Sequence, residues 1–355
     1  MTSTTSAVEP GAVEAPKAPG AETATTERRT RSIPRAGWTV IAAKEFGDHI
    51  LSSRFLVLAI IMAIAAAVPL YFISGQIRDA PSGATGFPAL FIALFWLTPS
   101  VNDQIQLPSV VGFLALVGPL LGLTFSFDAI NGERANGTLP RLLSQPIHRD
   151  DVINGKFTAG LAVIALVVVV MILAVTTFAL IRLGVVPEAV ELLRIVLWVL
   201  VTMVYIALWL AFGLLLSVAI RRAATSALVG FGTWLLLSFF GGLIVSLING
   251  IVAPLTAASA EDALKNIGLR EMLQRLLPDT LYREASLTLL NPQVTTISTP
   301  ATLGQYAQAQ QRIPSLFSLD QSFILIWPQV VGLVGLTVAC FALAYVLFMR
   351  QEVRA

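Results

Sequence analysis

Charge is what this chain has least of. Asp, Glu, Lys and Arg make up 12% of its 355 residues, against about a quarter in soluble globular domains. Histidine occurs only as His49 and His148, and cysteine only as Cys340. One thiol excludes an internal disulfide, and two isolated histidines with no cysteine cluster exclude a ligand set with the spacing a bound metal needs. His49 and His148 therefore read as solvated or capping residues, and Cys340 as a small apolar filler. No G-x-x-x-x-G-K-[ST] stretch occurs; Gly155-Lys156 lacks the upstream glycine, so no phosphate loop is expected. The net charge of +2 is spread along the chain and forms no basic patch, which argues against a nucleic-acid partner.

What fills the space is hydrocarbon: 56% apolar residues and a mean hydropathy of +0.79. A helix needs about 20 apolar residues to cross about 30 Å of lipid. Six stretches qualify: 55–74, 108–127, 157–181, 195–220, 226–248 and 323–349, each free of Asp, Glu, Lys, Arg and His. A mid-span charge costs about 2.5 to 3.5 kcal/mol, so charge-free segments insert unaided. The fold class expected is an all-α polytopic membrane protein. The segment 87–99 (FPALFIALFWLTP) is apolar but too short and bracketed by prolines, and reads as re-entrant or interfacial; were it to span, every later orientation would flip.

Lys and Arg in short loops set the orientation. With the first flank inside, Arg35, Lys44 and Arg54, the loop 128–156 with Arg134, Arg141, Arg149 and Lys156, the pair Arg221-Arg222, and Arg350 and Arg354 all face the cytoplasm. The opposite short loops keep little beyond Arg78, Arg182 and Arg194. Both termini are then cytoplasmic in a plasma (inner) membrane protein, with a tail at 350–355. Residues 1–32, rich in Ala, Thr, Glu and Pro, read as disordered and not as a signal peptide. Residues 33–54 read as an amphipathic entry helix on the inner interface, with Trp38, Ala42, Phe46 and Ile50 in one stripe and Glu45 at its edge. A cytosolic extension of the first span is the alternative. Gly118 and Gly122, one turn apart, permit close helix contact, with packing inside one bundle favoured over contact between subunits.

The most informative stretch is the polar island FDAINGERANGTLPRLLSQPIHRDDVINGKF from Phe127 to Phe157. Gly132 and Gly137 bracket Glu133 and Arg134. Thr138 is placed to cap a short helix that tolerates Pro140 in its first turn, with Leu139, Leu142 and Leu143 as its apolar side. Gln145 and Pro146 stop it; after Ile147, Asp150 and Asp151 open a helix that runs through Lys156 into the third span. The island reads either as a short amphipathic helix across the inner mouth or as a solvated loop obeying the positive-inside rule. In the outer segment 249–321, residues 257–277 and 281–290 have helical periodicity, with Leu264, Leu269, Leu273, Leu276 and Leu277 available for burial in a small outer cap, and 291–321 reads as a loose loop.

The run GERANGTLPRLLSQPIHRDDVINGKF resembles the signature of type-2 ABC-transporter permeases, in which an acidic-basic pair, a Gly-Thr-Leu step, a Leu-Leu-Ser-x-Pro and a Gly-Lys recur in this order after the second span. AAKEFGDHILSSRF from Ala42 resembles the family's entry helix, and LLPDTLYREASLTLLNP from Leu276 its outer segment; permeases of nitrous oxide reductase maturation are the nearest in character. The chain departs from the pattern at Ala135-Asn136, where an acid is usual, and at Pro140. The resemblance implies a transporter subunit, not an enzyme, with no cofactor of its own. It would be driven by two copies of a separate ABC ATPase that binds ATP and Mg. The coupling residues it implies are Glu133, Arg134, Gly137, Thr138, Leu139, Arg141, Leu142, Leu143, Pro146, Ile147 and Lys156, with Lys44, Glu45 and Phe46 on the entry helix. Six spans are half of a twelve-span pathway, so a homodimer, or a heterodimer with a related permease, is implied.

An ion-coupled secondary transporter would be expected to place carboxylates, His or Lys at mid-membrane, and an intramembrane enzyme an acid-base pair; neither is present. A non-transporting structural or immunity-type membrane protein is the remaining alternative. Membrane lipid is a partner in any case, and an extracytoplasmic protein could dock on the outer cap. With no His in the spans and a single Cys, a direct metal-ion path is disfavoured.

Overall fold

Long charge-free runs leave the backbone no partner but itself, and it responds as helix. The computed structural model describes residues 37–79, 90–101, 105–140, 147–254, 260–291 and 319–351. The expected disordered start, the coupling residues Arg141, Leu142, Leu143 and Pro146, and most of the 291–321 loop lie outside the described residues.

The described part opens with α1 (Gly37–Ile50) and turns at Ser52 into α2 (Ser53–Asp79). A buried stub, α3 (Leu90–Trp96), leads into a two-residue antiparallel ribbon of β1 (Ser100–Val101) and β2 (Ile105–Gln106). In this ribbon Ser100 faces Gln106 and Val101 faces Ile105. Then come α4 (Val110–Thr124), the single turn α5 (Asn131–Ala135), α6 (Arg149–Leu183) and α7 (Ala189–Ala219). The next helix is interrupted: α8 (Ala223–Leu235) passes through a π-turn at Leu236–Phe240 into α9 (Gly241–Val252). Finally come α10 (Ala260–Gln274), α11 (Pro278–Leu290) and α12 (Leu319–Arg350).

Among the described residues, five helical stretches are long and apolar enough to cross a membrane: α2, α6, α7, the α8–α9 run and α12. The predicted second span forms the 15-residue α4, about 22 Å at 1.5 Å per residue. Ser109 caps its start, its hydroxyl accepting from Gly112 N–H at 3.1 Å. At its end the Ser126 hydroxyl donates to Gly122 O at 2.7 Å, competing for the last carbonyls, and the chain coils into tight turns.

Gly118 and Gly122 explain how α4 seats against α7. A Cβ on Gly122 would stand 2.7 Å from both Ile206 O and Leu210 N, so the two helices touch backbone to backbone. The contact lies within one chain, the option the sequence favours. The described part of 87–99 is neither a span nor a surface helix. Phe91, Leu94 and Phe95 are wholly buried, and Phe95 meets Trp198 edge-on at 5.3 Å.

The two expected cap helices differ. Around α10, Leu269, Leu273 and Leu277 are only partly buried and Leu276 is 70% exposed, while the side chain of Leu264 lies outside the described residues. In contrast α11 is a core element, with Leu281, Tyr282, Ala285 and Leu289 buried. Its neutral polar groups pair with α7: Trp198 Nε1 donates to Ser286 Oγ at 3.0 Å, and Thr202 Oγ1 is 3.2 Å from Tyr282 Oη. Tyr205 stacks on Tyr282 with ring centroids 4.4 Å apart. Arg194, expected in an opposite loop, lies inside α7 and is buried, donating to Leu289 O at 2.9 Å and Ser322 Oγ at 3.1 Å. Hydropathy alone puts it in a flank because the apolar run starts one residue later.

Candidate functional site

At the other end of the bundle, α1, the turns after α4, the start of α6 and the last residues of α12 converge. The 35 residues of α6 span about 52 Å, well beyond the hydrocarbon thickness, so its first turns stand clear of the apolar run as a rigid post. Asp151, Gly155 and Lys156 fasten α1 along this post. Asp151 serves two helix starts at once: Oδ1 accepts from Trp38 N–H at 3.0 Å and Oδ2 from His148 N–H at 3.1 Å. One turn on, the missing side chain of Gly155 admits Ile41, which a Cβ would meet at 2.8 Å.

Lys156 completes the joint. Its side chain is 4% exposed, and its ammonium group donates to Glu133 Oε1 at 2.6 Å and lies 3.1 Å from Glu45 Oε2. One buried cation thus links α1, α5 and α6. The face of α1 turned to α6 carries Ile41, which is buried, and Glu45 and His49, which lie between neighbours; of the interfacial stripe, Phe46 and Ile50 pack on the core and Trp38 is 39% exposed. Glu45, an unfavourable inward residue by itself, is compensated by Lys156. Glu133 Oε2 is buried without a hydrogen-bond partner.

The loop has its own locks. Gly137 takes φ +68°, and the N–H groups of Gly137 and Thr138 return to Arg134 O at 3.2 Å and Glu133 O at 3.0 Å. This is the left-handed stop that favours glycine. Thr138, expected to cap the following helix, turns its hydroxyl back to donate to Glu133 O at 3.1 Å. Leu139 is buried with Ile130, Val152, Val218 and Phe348, and Ile147 packs beside them. Ser217 Oγ accepts from the N–H groups of Ile130 and Asn131, at 2.9 and 3.2 Å, and Asn131 Nδ2 donates to Ile220 O at 3.1 Å.

Of the entry-helix residues singled out, Glu45 reaches the loop's partner, Phe46 packs on the core, and Lys44 stays on the exposed side with Asp48 at 3.0 Å. Arg134 does not join Lys156; it donates to Gln351 Oε1, and burial together with Arg221 pushes its guanidinium below its ordinary value. Sequence reasoning missed Gln351, Ser217, and the pair Arg54–Asp128 at 2.7 Å, in which Arg54 also lies over the Phe127 ring. A lone Ser at the end of an apolar run, as at Ser217, is the kind of signal that could have pointed there. His49 sits edge-on to Phe125 at 5.1 Å, and burial lowers its pKa.

No group of three or more acidic, Cys or His side chains is placed to hold a metal among the described residues. Between α2 and α6 runs an apolar groove of about 390 Å3, with Ala63 and Ala66 facing Val170 and Met171. It can hold hydrocarbon and offers nothing to a charged ligand.

The arrangement is therefore a structural joint: three elements gathered on one buried cation at one end of a helical bundle. A family model described as ABC-2 family transporter protein matches residues 39–353. The chain belongs to the ABC-2 transporter family. Two relatives described as probable ABC transporter permease protein NosY are similar to it. The one from Stutzerimonas stutzeri is 27% identical over 162 residues, covering 42% of this chain and 57% of the relative. The one from Pseudomonas aeruginosa is 30% identical over 129 residues, covering 36% and 40%. The matched stretch thus spans about half the length of these relatives. As an ABC-2 family member with apolar membrane-length helices, the chain is a multi-pass membrane protein.

Proposed function

We infer that this chain is the permease subunit of an ATP-binding-cassette exporter in the plasma membrane. It works with two copies of a separate ATPase that binds ATP and Mg, and pairs with itself or a related permease. In this reading α1, the Glu133–Lys156 segment and both termini face the cytoplasm, α4 is the short sixth membrane segment, and substrate passes between two bundles.

The observation that supports this reading most is Lys156 bound to both Glu45 and Glu133. A force on the turn Glu133–Gly137 reaches α6 through Lys156 and α1 through the same ion. Asp151 and Gly155 hold α1 to α6, so the two tilt as one body. Glu45 also meets the exposed Lys44 at 3.4 Å, whereas Glu133 has Lys156 alone and its Oε2 lacks a donor. A cationic or N–H group from the ATPase would therefore be favoured there.

Purification in mild detergent from the native membrane is expected to bring down a Walker-motif ATPase. Gly137→Pro is expected to lose it while inserting normally, because proline cannot take a positive φ and lacks the N–H that closes on Arg134 O. Labelling of a thiol at Thr138 from outside intact cells, or full activity of the chain without an ATPase, would overturn the reading.

A further inference from the structure

We propose that Gln351 is a positioning residue that ties the Glu133-bearing turn to the last span, so that a push on this turn reaches α12 as well as α1 and α6. The proposal rests on the reading of the turn as the place where an ATPase pushes.

Gln351 follows the last residue of α12 and uses every hydrogen-bonding group it has on a different element. Its side-chain Oε1 accepts from Arg134 Nη2 of the turn. Its Nε2 donates to Val218 O at 2.8 Å, one of the carbonyls at the end of α7 that has no partner within its own helix. Its main-chain carbonyl accepts from Arg149 Nη1 at 2.9 Å, at the start of α6. Its N–H closes on Phe348 O at 3.3 Å.

Only an amide of this length fits the set. A carboxylate keeps the acceptor for Arg134 and loses the donor for Val218 O; an ammonium does the reverse; asparagine is one methylene short. Beneath this polar layer Phe348 and Leu139 are buried in the same apolar cluster, so the turn rests on α12 by one apolar seat and one polar clasp. Arg221 stands close enough to repel Arg134, so the guanidinium is held against a like charge by the clasp. Opening the clasp frees Arg134 to leave and uncovers Leu139.

The test uses the full chain alone in detergent, with Leu139→Cys as the reporter in a Cys340→Ser background and maleimide as the probe. With Gln351 present the buried thiol is expected to react slowly. Gln351→Ala is expected to raise the rate about tenfold, the factor that corresponds to losing one charge-assisted hydrogen bond. Gln351→Glu, which keeps the acceptor, is expected to bring the rate most of the way back, and Arg134→Ala to reproduce the alanine result. Gln351→Asn, expected in between, serves if the alanine variant does not fold. Equal rates before and after the Gln351→Ala substitution, or no recovery with glutamate, overturn the proposal. Because no ATPase is present in the assay, failure to find one would sink the reading of the turn and leave this result standing.

Discussion

The two ends of the bundle are held together by different chemistry. At the end that gathers α1, α5 and α6, the joints are built on charge: Lys156 with Glu45 and Glu133, Arg54 with Asp128, and Arg134 on the Gln351 amide. At the other end α11 is set into the core mainly by neutral groups, with Trp198 on Ser286, Thr202 on Tyr282, and Tyr282 stacked on Tyr205. Glu284, held by Arg275 and Gln329, and the buried Arg194, which donates to Leu289 O, are the charged exceptions there. A neutral aromatic seam buried at both faces has one low-energy arrangement. An ion cluster with one buried carboxylate oxygen unmet is left incompletely satisfied, and a rearrangement that brings a donor to it is favoured. The first kind of joint suits a fixed hinge, the second a place where force enters.

The sharpest way to break the contrast is to remove the cation. Lys156→Ala leaves Glu133 without a cation and Glu45 with only the exposed Lys44, in a site that is 4% exposed at the lysine, and is expected to lower stability by about 3 kcal/mol, read as a drop in thermal unfolding temperature in detergent. At the opposite end, Tyr282→Phe keeps the ring stack and loses one hydrogen bond; a loss of about 1 kcal/mol in the same melt is expected. A larger loss at Tyr282 than at Lys156 would reverse the comparison.

The smallest effect is in the pH response. Burial holds the His49 imidazole below its ordinary value of about 6.5, in the field of Glu45, Lys156, Asp128 and Arg54. The folded chain then takes up the proton less readily than the unfolded one. This contribution to stability is whole above about pH 6.5 and is lost as the pH falls below it. His49→Gln is expected to flatten that acid limb. Tyr282 is shifted the other way: burial pushes its phenol up to about 12, so its share is whole below the ordinary value of 10 and is lost only as the pH rises past it. Melts between about pH 5 and 10 should therefore vary with His49 and be indifferent to Tyr282.

Much of the joint is legible in the sequence. Glu45, Glu133 and Lys156 all stand out there, and the structure puts them on one another. Gly137 brackets the turn in the sequence and is its left-handed stop in the fold. Other features depend on neighbours that the local pattern does not name. Thr138 has the place of a cap for the next helix, which lies outside the described residues from Arg141 on, and its hydroxyl donates back to Glu133 O. The inward place of Glu45 could not be read from the apolar stripe of α1, because the partner that makes Glu45 tolerable inside lies on α6, far along the chain.

Composition and periodicity alone determined that this chain would be a bundle of membrane-length helices with a polar turn after the second apolar run. Hydrocarbon accepts nothing else, and charge-free runs of about 20 residues announce themselves without context. Only the tertiary structure decided that α4 would be short, that α11 would sink into the core, and that Lys156 and Gln351 would be the points where elements meet. Those outcomes depend on pairings between residues far apart in the chain, and such pairings leave no period in the sequence for the eye to find.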